Sequence, residues 1–261
     1  MKTILITGSS SGIGKTTVEF FSKKGWNVVA TMRDPKNAKT FNWEKNVLVL
    51  SLDVTQPKTI HQARLSAEKL FGQIDVIVNN AGYGLFGPLE TASEEEIQKQ
   101  FDTNFFGIVN IIKEFLPRMR ERNSGVIINI SSILGKFSTL DIGYYSASKH
   151  ALEALSESLS YQLRKTNIFV KIIEPSATQS NFLKNKIIPQ SRDQFYAKAL
   201  KEVRELTQWK GSSTETVAKK IYEAATDKNK KLRYPAGRYS STILFFRKIL
   251  PDKIFLWFVN R

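Results

Sequence analysis

In the stretch "YSASK", Tyr145 and Lys149 stand four residues apart. On a helix that interval brings both side chains to one face. A free phenol has a pKa near ~10 and ionises slowly at neutral pH. A lysine ammonium beside it favours the phenolate and brings its pKa toward the working range. Such a pair is suited to passing a proton to or from an oxygen. Tyr144 lacks this partner, because the residue four positions on is Ser148, which carries no charge. A Tyr-x-x-x-Lys pair seen alone is usually ordinary helix surface, so the rest of the chain must supply the context.

A second chemical signal is "TGSSSGIGKTT", from Thr7 to Thr17. Its end resembles an ATP-binding loop, but that pattern needs four residues between its first glycine and the Gly-Lys pair. Counting back from Gly14 reaches Ser9, and Gly8 lies one residue too early. The dinucleotide reading fits better. The loop follows a strand and opens a helix, so free N–H groups and the helix dipole face a pyrophosphate. Gly8 permits the tight turn, Gly12 lets backbone approach phosphate, and Gly14 lets helix pack near strand. The spacing departs from Gly-x-Gly-x-x-Gly, since Thr17 stands at the last glycine position.

These groups need elements to hold them. Apolar, β-branched runs at Thr3–Thr7, Asn27–Thr31, Val47–Leu52, Asp75–Asn79, Gly125–Ser131 and Ile168–Glu174 read as strands. They are apolar on both faces, as strands buried between two helix layers must be. Helical stretches such as "GKTTVEFFSKKG" and "TIHQARLSAEKLFG" separate them, and Ser93 and Glu96 have capping-box spacing. Strand–helix alternation predicts an α/β fold, a single-domain doubly wound parallel sheet of Rossmann-like type with helices on both faces. Residues 1–261 read as one domain: 1–130 mainly bind cofactor, and 131–261 carry catalytic residues, substrate loop and a helical tail. After Pro175 the pattern loosens, with helices expected near Asp193–Trp209 and Thr214–Thr226.

Composition narrows the function. There is no cysteine, which excludes disulfides, thiolate nucleophiles and cysteine–zinc sites. His61 and His150 are the only histidines and are far apart, a poor basis for a metal site or a Ser-His triad. The 39 Lys plus Arg outnumber the 24 Asp plus Glu, giving +15, which attracts anions. No nucleic-acid motif accompanies that charge, so no nucleic-acid partner is expected. No apolar run approaches the ~18 residues of a membrane span and no export signal is visible, so the expected compartment is the cytoplasm.

With "TGSSSGIG" in place, the chain resembles the short-chain dehydrogenase/reductase family, and further motifs follow in order over roughly residues 1 to 182. They are "NNAG" (Asn79–Gly82), "NFFG" (Asn104–Gly107), "NISS" (Asn129–Ser132), "YSASK" and "EPSATQS" (Glu174–Ser180). The resemblance implies hydride transfer with Tyr145 as acid/base and Lys149 hydrogen-bonding the nicotinamide ribose. It implies that Ser132, rather than Ser131, holds the substrate oxygen, and that Asn104 supports a water-linked proton path. The cofactor contacts it implies are Gly8, Ser9, Ser11, Gly12, Ile13, Gly14, Asp53, Val54, Asn80, Ala81, Gly82, Tyr145, Lys149, Pro175 and Thr178. Asp53 also suits a strand-end turn, and Asn80 structural work. Phe101, Phe105 and Phe106 read as core packing.

An acid at the end of the second strand would repel a 2′-phosphate; Met32 and Arg33 stand there, and a guanidinium suits a dianion. NADP(H) is therefore favoured, with NAD(H) left open because Ser11 stands where many NADP-preferring relatives carry a basic residue. Phe86, Leu134, Phe182 and Leu183, with the Pro175–Arg192 segment, suggest an apolar wall for a hydrophobic ketone, aldehyde or alcohol. "NNAGYGLFGPLE" and "ATMRDP" are similar to hydroxysteroid and retinol dehydrogenase-like members. Ser176 and Ser180 depart from the family's glycine and threonine, which puts the lid conformation in question. The basic, aromatic tail is expected to cover the cleft or a subunit interface in preference to an anionic membrane surface. By resemblance, a homodimer or homotetramer forms through the helices carrying Asn104 and Tyr145. A nucleotide-sensing scaffold without turnover is the alternative, and the intact Ser132, Tyr145 and Lys149 argue against it.

Overall fold

The computed structural model describes residues 1–38, 45–191, 193–206 and 211–259. Arg192 and the expected helix end at Trp209 fall outside them. Strands β1 (Thr3–Thr7), β2 (Asn27–Met32), β3 (Val47–Ser51), β4 (Val76–Asn79), β5 (Gly125–Ile130) and β6 (Ile168–Pro175) lie within a residue or two of the apolar runs. Between them run α1 (Gly12–Lys23), α2 (Pro57–Phe71), α3 (Glu94–Phe101), α4 (Gly107–Glu121) and α5 (Gly143–Gln162). Ser93 caps α3 through the expected box: its hydroxyl accepts from Glu96 N, and the Glu96 carboxylate accepts from Ser93 N. Beyond β6 come the two-residue strands β7 (Thr178–Gln179) and β8 (Ser212–Ser213), α6 (Ala197–Glu205), α7 (Thr214–Thr226), β9 (Arg233–Ala236), α8 (Ser240–Ile249) and α9 (Asp252–Val259).

The main sheet has the order β3-β2-β1-β4-β5-β6-β9, every pair parallel. Alternation along each strand builds two cores. Leu5, Val29, Ile77 and Ile127 meet α2, α4 and α5 through Ile60, Ile111, Phe115 and Leu152. Ile4, Ile6, Val28 and Ile128 meet α1 and α7 through Val18, Phe21, Val217 and Ile221. Each such buried side chain contributes about 1.5–3 kcal/mol. The outermost strand β3 is only half-buried, unlike the central ones.

β9 was not legible as a strand. It is four residues long and contains Pro235, which the edge of a sheet tolerates because no further strand needs that N–H. Its Arg233 reaches back to α5, donating to Glu153 at 3.0 Å and Glu157 at 2.6 Å. The order of strands reverses between β1 and β4, and the loops at their carboxyl ends form the crevice there.

Candidate active site

The glycine loop is shaped by what stands against it. Gly8 has φ +68° and Gly12 φ +56°, both left-handed. A Cβ on Gly8 would sit 2.8 Å from Ala81 Cα, so only glycine fits between β1 and β4. Asn80 fastens the two loops, its Nδ2 donating to Thr7 O at 2.9 Å and Gly8 O at 3.1 Å. Thr7 Oγ1 accepts from the Asn80 and Ala81 amides, both at 3.0 Å. Ser11 precedes α1 in extended backbone, and the first turn of that helix opens into the crevice. Its amides form an anion cradle.

From this loop a cleft of about 1910 Å³ runs past the ends of β2 and β3 in one direction and of β5 and β6 in the other. Gly8, Ser11, Gly12, Ile13, Arg33, Asp53, Val54, Asn80, Ala81, Gly82, Pro175 and Thr178 line it, together with Ser132, Leu134, Tyr145, Lys149 and Phe182. Ser9 is fully buried, its hydroxyl donating to Ile6 O at 2.8 Å, so its side chain does not face the cleft as expected. Gly14 likewise lies behind the loop, against the Gly8 carbonyl. Asp53 Oδ1 accepts from Thr55 N and Thr55 Oγ1, which makes the strand-end turn while leaving the residue on the cleft wall. These residues fit a dinucleotide: a glycine-built anion cradle, then an elongated groove to a phenol and an ammonium.

Ser132 ends β5, and its Oγ accepts from Leu134 N at 3.1 Å and pairs with the Tyr145 hydroxyl. Burial pushes the Tyr145 phenol up to about 12, and the Ser132 hydrogen bond only partly opposes it. Burial pulls Lys149 down to about 8 against the field of Glu153, one turn along α5. Lys149 Nζ donates to Ile130 O at 2.8 Å and lies 5.7 Å from the Tyr145 ring centroid. The expected lowering of the phenol's pKa by the lysine is thus corrected: a strand carbonyl holds the ammonium, and desolvation dominates the phenol. Tyr144 turns away, donating to Leu89 O at 3.1 Å.

Asn104 sits in a π-helical turn, Asp102–Phe106, between α3 and α4, and is fully buried. Its Oδ1 accepts from Tyr83 N at 3.1 Å, and its Nδ2 donates to Tyr83 O at 2.9 Å and Ser148 Oγ at 3.3 Å. Those bonds hold the loop after "NNAG" against α5. Phe106, expected in the core, is 47% exposed and lines the cleft instead, because the π turn shifts the side chains around it.

At its other end the cleft is apolar. Phe182 meets the Tyr145 ring edge-on at 5.4 Å. Phe86 is fully buried and meets the same ring at 5.8 Å; it backs the wall and does not line the cleft, a correction to its expected place among the substrate-facing wall residues. Leu183 is buried in the same cluster. Ile243, Phe246 and Leu250 of the α8 region and Phe255 and Phe258 of α9 close over this end, so the tail covers the cleft, as favoured. No individual tail residue was singled out from sequence, although Ile243, Phe246 and Leu250 show helical spacing. Ser176 donates to Arg238 O at 3.0 Å and ties the segment after β6 to the turn after β9.

The family model described as short chain dehydrogenase matches residues 2–190. An uncharacterized oxidoreductase of Schizosaccharomyces pombe is 38% identical over 228 residues, 86% of this chain and 96% of that protein. A 3-ketodihydrosphingosine reductase of Bacteroides thetaiotaomicron is 43% identical over 185 residues, 71% and 67% of the two chains. Human retinol dehydrogenase 8 is 40% identical over 190 residues, 69% of this chain and 60% of that one. Among solved structures, a short-chain dehydrogenase from Streptomyces avermitilis superposes with TM-score 0.86 and 32% identity, covering 97% and 93%. A closed form of serine dehydrogenase complexed with NADP+ does so with TM-score 0.77 and 27% identity, covering 89% and 94%. With its parallel seven-stranded sheet and its residues 2–190 matched, the chain belongs to the short chain dehydrogenase family, oxidoreductases acting on CH–OH groups with a nicotinamide dinucleotide.

Proposed function

We propose that this protein is an NADP(H)-dependent oxidoreductase that interconverts a hydrophobic ketone or aldehyde and its alcohol. The observation that carries the reading is the single cleft joining the glycine loop, the Ser132–Tyr145 pair and an apolar end. When bound, the nicotinamide supplies or accepts the hydride. Ser132 Oγ holds the substrate oxygen beside Tyr145, whose hydroxyl gives up its proton in reduction and whose phenolate takes the alcohol's proton in oxidation. Lys149, anchored on Ile130 O, holds its charge near the phenol and would hydrogen-bond the ribose of a bound cofactor. Asn104 keeps the loop beneath them in place.

The NADP(H) preference rests on Arg33, exposed on the cleft wall with no ion pair among the described residues. Relatives named for retinol and 3-ketodihydrosphingosine support an apolar carbonyl or alcohol. Association into a homodimer or homotetramer through the outer faces of α4 and α5 completes the reading. The test is a spectrophotometric screen of NADPH and NADH oxidation across aliphatic, steroidal and aromatic ketones and aldehydes. Turnover of apolar carbonyls with NADPH is expected; turnover confined to small polar carbonyls would overturn the substrate class.

A further inference from the structure

The tail helices have a second face. Eight of the sixteen large apolar side chains exposed among the described residues lie between Tyr239 and Phe258, so the exposure is concentrated and not scattered. On α8, Ser240 and Ile243 turn inward, as does Leu250 just beyond it, while Phe245 and Ile249 are 58% and 52% exposed. On α9, Phe255 is buried, while Ile254 and Phe258 point outward. Pro251 breaks the chain between the helices. Lys248 and Lys253 are exposed among these groups and have no ion pair among the described residues. Asp252, the one acid of the two helices, is paired with Arg247. Arg247 also lies over the Phe255 ring.

We propose that the outer face of α8 and α9 docks in the headgroup layer of an anionic lipid bilayer, with the apolar end of the cleft opening against the acyl region. Charge complementarity selects this occupant over a second copy of the chain. A two-fold contact on this face would bring Lys248 and Lys253 of both copies together with no unpaired acid to neutralise them. Anionic headgroups supply the opposite charge, and apolar groups flanked by basic ones suit the boundary between headgroups and acyl chains. The net charge of +15 adds longer-range attraction. Phe246 and Phe258 belong both to this face and to the cleft lining. A substrate dissolved in the bilayer would therefore enter between them without crossing water; this entry route rests on the apolar-substrate reading, whereas docking does not.

Docking is tested by sedimenting the full chain with vesicles of phosphatidylcholine alone or mixed with phosphatidylglycerol. Binding is expected on the mixed vesicles and not on the neutral ones, weakening as salt is raised. K248Q/K253Q should reduce it by roughly tenfold or more, and F245E/I254E should abolish it. Circular dichroism melting checks that both variants fold; neither pair lines the cleft. No sedimentation with either vesicle, or equal binding to both, overturns the proposal. So does a concentration-dependent dimer in light scattering that F245E/I254E abolishes while vesicles remain unbound. None of these readouts depends on turnover, so they separate docking from the enzymatic reading.

Discussion

Lys149 Nζ donates to the carbonyl of Ile130 at 2.8 Å, which ties the first half of α5 to the end of β5. The lysine lies at about 8 and the Tyr145 phenol at about 12, both moved mainly by burial. At neutral pH the phenol therefore carries its proton and the lysine is largely charged. The proposed carbonyl reduction draws on both. Its kcat/KM is expected to stay level through neutral pH and to fall as Lys149 deprotonates past about 8. A pH profile with NADPH and one ketone checks this; a fall beginning in the acid range would remove Lys149 from the explanation.

Tyr145→Phe removes the proposed proton donor but leaves the ring against Phe86 and Phe182. Turnover is expected to drop by about 10²–10⁴, with NADPH affinity by fluorescence titration nearly unchanged. Retained activity would transfer the acid role elsewhere.

Arg33→Ala should weaken NADPH by roughly 10–100-fold while sparing NADH, since a charged hydrogen bond to the 2′-phosphate is worth about 1.5–3 kcal/mol. Equal loss for both nucleotides would mean that the guanidinium serves only the fold.

Gly8→Ala places a methyl group 2.8 Å from Ala81 Cα in left-handed backbone. A loss of about 1–3 kcal/mol is expected, read by thermal melting, along with weakened nucleotide binding. An unchanged melting temperature would show that the two loops separate readily.

Glu174, buried in β6, is raised to about 7 by burial and by Glu153, against Lys136 and Arg233. The unfolded carboxyl titrates near ~4.3. Between those values the native state holds the extra proton, so its stability falls as pH rises, and the penalty is complete above about 7. Glu174→Gln should thus raise the melting temperature near pH ~8 and change it little near pH ~5. Calorimetry at both pH values decides, and a gain confined to acid pH would reverse the assignment.

Strands β1 to β6 were legible because each is a β-branched run ending in a recognisable loop, so period and motif agreed. The nucleotide loop was legible because glycine answers to backbone geometry, and both left-handed glycines were named from sequence. Phe86 and Ser9 were misplaced for a different reason. Sequence spacing puts a residue near a cleft but does not say which way its side chain turns, and both turn inward. The position of the ammonium was hidden too, because a carbonyl nineteen residues upstream captures it. β9 carries so few β-branched residues that only its pairing with β6 reveals it.

That last strand has a consequence for biosynthesis. Arg233 clamps Glu153 and Glu157 on the helix that bears Tyr145, yet it is translated long after them. A nascent chain arrested before β9 would already own its nucleotide cradle, while the helix bearing Tyr145, packed on the sheet through Leu152, would lack the Arg233 clamp at Glu153 and Glu157. Ribosome-stalled intermediates should therefore acquire cofactor affinity well ahead of any chemical competence.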